Sequence, residues 1–119
     1  MIASPNPDPN NASNSPAAPA LRLEGHMSNG VGATYGAEPC AVLTATADEL
    51  WLKGNLGDFH IPRSAVVKLG RGQLYPWFFR GVRIRHSIAA FPPDLQFKPM
   101  VGHSREILAQ LAALGFPAN

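Results

Sequence analysis

Six cations crowd the stretch between His60 and Pro93, and no carboxylate lies among them. Arg63, Lys68, Arg71, Arg80, Arg83 and Arg85 supply the charge, with Tyr75, Trp77, Phe78 and Phe79 interleaved. Cations without local counter-charge attract anionic partners at moderate salt. Aromatic rings set among them can stack on nucleobases or enter a lipid interface. They can equally fold over an open end of a sheet and supply buried area.

Residues suited to catalysis are present without the arrangement catalysis needs. Asp58 and His60 would share one face of an extended strand as a base and its orienter, but the sequence places no Ser or Cys nucleophile beside them. His60, His86 and His103 are not paired at the short spacings of zinc sites, and there is no cysteine pair. Gly70-x-Gly72 lacks the remainder of a phosphate-binding fingerprint and reads as a loop. The single cysteine, Cys40, cannot close an intramolecular disulfide, and with no adjoining cation it reads as a small packed hydrophobe. The expectation is a non-enzymatic protein with no cofactor and no metal.

The elements that must position the basic window fall in the second part of the chain. Residues 1 to 20 are almost wholly Pro, Asn, Ser, Ala and Asp, with prolines at 5, 7, 9, 16 and 19, a composition that cannot offset its ordering entropy by burial. Leu21 and Leu23 form a short apolar interruption before a glycine-rich stretch that reads as linker. Gly25-His26-Met27 reads equally as an internal start or as a cloning scar. The boundary predicted is a disordered tail and linker over 1–39 and one folded domain over 40–119. Charge follows the same division: the first part holds one cation against three carboxylates, the second nine against five. No stretch approaches the roughly 18 apolar residues of a membrane span, and the N-terminus has neither a basic nor an apolar signal region, so a cytoplasmic location is the default.

Alternating apolar residues predict strands at Ala41–Thr46, Leu50–Lys53, Phe59–Ile61, Ser64–Leu69, Val82–His86 and Leu95–Lys98, separated by Gly, Pro, Asn and Asp. In the fifth of these, Val82, Ile84 and His86 face one side and Arg83 and Arg85 the other. Ile107, Leu108, Leu111 and Leu114 recur at helical spacing, with Ser104 as expected N-cap, Glu106 in the first turn and Gly115-Phe116-Pro117 as the stop. A helix with one apolar stripe needs a sheet to cover. The fold class is therefore mainly β with one C-terminal α-helix.

The run from Leu43 to Phe116 resembles small bacterial pleckstrin-homology-like domains. The likeness lies in Thr44-Ala45-Thr46-Ala47-Asp48-Glu49-Leu50-Trp51-Leu52, in Phe59-His60-Ile61-Pro62, in Gly81-Val82-Arg83-Ile84-Arg85-His86 and in a closing helix ending Leu114-Gly115-Phe116. The resemblance implies a bent antiparallel sheet or partial barrel capped by the helix, serving as a non-catalytic module for proteins, peptides or membranes. Phosphoinositide-binding members of that family hold clustered cations around the loop joining the first two strands. Here that loop carries Asp48-Glu49, which would repel an inositol phosphate. The expected partner is another protein with an acidic surface, met through Arg63, Lys68, Arg71, Arg80, Arg83, Arg85 and Trp77. Peripheral membrane contact and nucleic-acid binding through the same window are the alternatives.

Overall fold

The structure is a computed structural model that describes residues 20–73 and 77–118. Seven strands form a single antiparallel sheet: β1 Leu21–Ser28, β2 Ala41–Ala45, β3 Glu49–Gly54, β4 Gly57–Pro62, β5 Val66–Arg71, β6 Val82–His86 and β7 Leu95–Pro99. Their spatial order is β4-β3-β2-β1-β7-β6-β5. The sheet curls into a half-barrel. A short helix, α1 Trp77–Arg80, follows β5, and the long helix α2 Ser104–Ala113 packs on β5, β6 and α1.

The main correction to the sequence reading concerns β1. Residues 21–28, predicted to lie outside the domain, form the central strand of the sheet, and the 39/40 boundary does not hold. Leu21–Gly25 pairs with β2 and Gly25–Ser28 with β7, so this strand joins the two halves of the sheet. Met27 is fully buried and His26 is 1% exposed, so Gly25-His26-Met27 is an internal part of the fold. The alternation Leu21, Leu23, Gly25, Met27 is a strand pattern broken by one glycine. Packing demands that glycine: a Cβ at Gly25 would run into the Lys98 carbonyl on β7. The tail predicted over residues 1–19 lies outside the described residues.

From β2 onward the strands follow their apolar alternation. Leu43, Leu50, Leu52, Ile61, Leu69, Ile84, Leu95 and Phe97 all turn inward and lose their water-accessible surface. Most strand ends move by one or two residues, and two differences are larger in kind. Arg63–Ala65 forms a 3-10 turn, so β5 begins at Val66, and Trp77 opens a helix where a loop was expected. Because β1 precedes β2, the Asp48-Glu49 turn joins the second and third strands.

Helix α2 covers the inner face with Ile107, Leu108 and Leu111. His103, not Ser104, is the N-cap. Its N–H donates to Glu106 Oε1 at 3.2 Å, while the Ser104 hydroxyl is drawn inward to donate to the Gly81 carbonyl at 2.6 Å. The stop forms as expected. Gly115 takes φ 101°, its N–H bonds the Ala112 carbonyl at 3.0 Å, and the Phe116 N–H bonds Leu111 at 3.1 Å. Beyond it the chain lies along β5, with the Leu69 N–H donating to the Pro117 carbonyl at 2.8 Å.

Candidate functional site

The basic window separates into residues with structural partners and residues left facing solvent. In register, β5 and β6 place Lys68 directly opposite Arg85, and Leu69 opposite Ile84. Leu69 and Ile84 point into the core, so Lys68 and Arg85 stand on the outer face, where both are exposed. A register shift between Val66 and Lys68 bulges β5 just before this pair, and exposed Val67 lies at the bulge. Neither Lys68 nor Arg85 has an ion-pair partner among the described residues.

Arg83 shares that outer face but is neutralised. Its Nε donates to Asp94 Oδ1 at 2.7 Å, and both side chains are 29% exposed. The sequence reading treated the window as uncompensated because Asp94 stands one residue beyond it. Arg63 lies at the C-terminal end of α2, where a Cβ at Gly115 would sit 3.3 Å from a guanidinium nitrogen. There it complements the negative end of the helix dipole. Arg71 and Arg80 are exposed at the ends of β5 and α1.

Trp77 is half-buried. Its backbone carbonyl accepts from the Gly81 N–H at 2.7 Å, and its side chain crowds the positions a Cβ would take at Gly72 and Gly81. Phe79 is 52% exposed, and Tyr75 lies outside the described residues.

The histidines occupy three separate environments. His60 sits on the outer face of β4, where its ring stacks on Trp51 at 4.5 Å and 21°, with Glu49 at 3.2 Å and Asp58 at 3.6 Å. The Trp51 indole N–H donates to Asp58 Oδ1 at 2.5 Å. Alternation had put Asp58 and His60 on one face; cross-strand register with Trp51, which a single strand does not reveal, adds the third member. His86 accepts the Ile88 N–H at Nδ1 (3.0 Å) and donates from Nε2 to the Pro92 carbonyl (2.7 Å), closing the loop between β6 and β7. His103 caps α2. The fourth, His26, lies in the tripeptide that reads equally as an internal start or as a cloning scar, and local sequence assigns it no role. Its two ring nitrogens lie 3.1 Å from Thr34 Oγ1 and 3.0 Å from the Gly36 carbonyl, which ties the loop after β1 onto the outer face.

Among the described residues, no group of three His, Cys, Asp or Glu side chains is placed to hold a metal ion. Cys40 is half-buried, its thiol directed at the Glu38 carbonyl. No described helix is long and apolar enough to cross a membrane. No family model matches the chain, and neither the curated proteins nor the solved structures yield a match.

Proposed function

We propose that this chain is a non-catalytic interaction module of the pleckstrin-homology-like kind, and that the outer face of β5 and β6 binds an acidic surface on another protein. The observation that supports this reading is the Lys68–Arg85 pair. Like charges directly opposite each other on a sheet are destabilising, and among the described residues no carboxylate pairs with either. A partner carboxylate placed between the two would remove that repulsion on binding, which makes the pair a source of affinity and of orientation. Arg83 stands on the same face but is paired with Asp94, and contributes less to the field that steers such a partner. A cytoplasmic setting suits a domain of this class with one thiol and no disulfide.

The test is a titration followed by amide and side-chain NMR. A glutamate-rich decapeptide stands in for the acidic protein surface, with a single-stranded oligonucleotide and anionic vesicles as separate arms. The peptide should shift Lys68, Arg85 and their neighbours saturably, and Lys68→Glu/Arg85→Glu should abolish the effect while the fold is retained. Stronger capture of the oligonucleotide, lost on Trp77→Ala, would replace the protein partner by nucleic acid.

A further inference from the structure

The other half of the outer face carries a second feature, independent of the basic pair. Register places Arg22, Thr44, Trp51 and His60 side by side across β1 to β4, and in the adjacent row Glu24, Val42, Lys53 and Asp58. The β2 members, Val42 and Thr44, are short, while their neighbours on both sides are long. A groove of about 490 Å³ follows, floored by Val42 and Thr44, walled by Trp51 and Lys53 on one side and Arg22 and Glu24 on the other. That volume lies within the usual range of small-molecule sites.

We infer that this groove is a binding site for a small planar ring bearing an anionic group. Strands two apart put the walls roughly 9.5 Å from each other, and a flat ring in van der Waals contact on both faces needs roughly 7 to 8 Å, so the slot takes one ring. The indole wall is ordered before any ligand arrives, being stacked on His60 and held by its N–H to Asp58. Opposite it, Arg22 is paired with Glu24 at 3.5 Å and offers a planar guanidinium. Lys53 sets the charge of the ligand. Its Nζ lies 5.7 Å from the Trp51 ring centroid and forms no ion pair among the described residues, because Asp58 across the strand is engaged by Trp51 and His60. A carboxylate or phosphate on the ring would meet that ammonium while the ring meets the indole.

The experiment titrates the full chain with benzoate, cyclohexanecarboxylate, benzyl alcohol and adenosine monophosphate, following the Trp51 indole N–H and the Val42 and Thr44 amides by NMR. Benzoate should bind saturably, and cyclohexanecarboxylate and benzyl alcohol at least fivefold more weakly, since each lacks one of the two matched features. Adenosine monophosphate separates a nucleotide source from a simple aromatic acid. Lys53→Met should weaken benzoate at least fivefold. Trp51→Leu should abolish binding, and Thr44→Tyr, a good strand former that fills the floor, should do the same without unfolding the sheet, which covers the case in which the first variant does not fold. The inference is overturned if benzoate and the nucleotide both leave these resonances unmoved, or if cyclohexanecarboxylate or benzyl alcohol binds as well as benzoate. Neither result bears on the Lys68–Arg85 face.

Discussion

A cross-strand pair of cations is a stability cost written into two residues, and its removal has an outcome of known sign. Arg85→Glu places opposite charges at Lys68 and residue 85, which should raise stability by roughly 0.2 to 1 kcal/mol in urea denaturation while removing affinity for the acidic peptide. A variant that gains stability and loses binding identifies a position kept for recognition; one that loses both does not. Arg83 obeys the opposite logic, since its partially buried bond to Asp94 supports the fold. Arg83→Met should cost about 1 to 2 kcal/mol by the same measurement and leave peptide binding within about twofold. The two arginines are indistinguishable in the sequence pattern, two apart with their side chains on one face. What separates them is a carboxylate from the neighbouring loop, which neither alternation nor local composition reports.

At the scale of elements, helix α2 was legible because its signals are local. Stripe, acidic first turn and glycine stop lie within about a dozen consecutive residues, and only the N-cap moved, by one position, because the Ser104 hydroxyl has a better partner in the Gly81 carbonyl. Leu111→Ala should therefore cost roughly 2 to 5 kcal/mol in thermal or chemical denaturation, through loss of a fully buried side chain, while its backbone carbonyl still accepts the Phe116 N–H. The strands from β2 to β7 were legible for the same reason, each being a short run of largely alternating apolar residues, although the bulge in β5 and the burial of Gln96 in β7 break the alternation locally. Strand β1 was not. Its pattern is interrupted by Gly25, and what makes glycine necessary there is the backbone of β7, far along the chain. The outer-face groove was hidden likewise: alternation placed Trp51 and Lys53 on one side of a strand, but their companions arrive only through register.

For the whole molecule, the two halves of the sheet meet at β1, and that decides which parts of the chain are dispensable. A chain beginning at residue 37 lacks the strand between β2 and β7 and should show no cooperative melt by circular dichroism. One beginning at residue 20 should melt within about 2 °C of the parent, the shift of a negligible change in stability in a small domain. The same seam has a consequence for the order of events in synthesis. Strands β1 to β4 pair with sequence neighbours, as do β5 to β7, but the seam needs Gly25 of the first strand to find Pro99 of the last. Contacts of such long sequence separation are slow to form, because loop closure precedes any gain from them. On a ribosome adding roughly 5 to 20 residues per second, Met27 and its strand wait several seconds with one edge open before β7 emerges. The nascent chain is thus at its most aggregation-prone in the interval before its final strand and helix leave the exit tunnel, when a half-sheet with an uncovered apolar face has every element but the ones that close it.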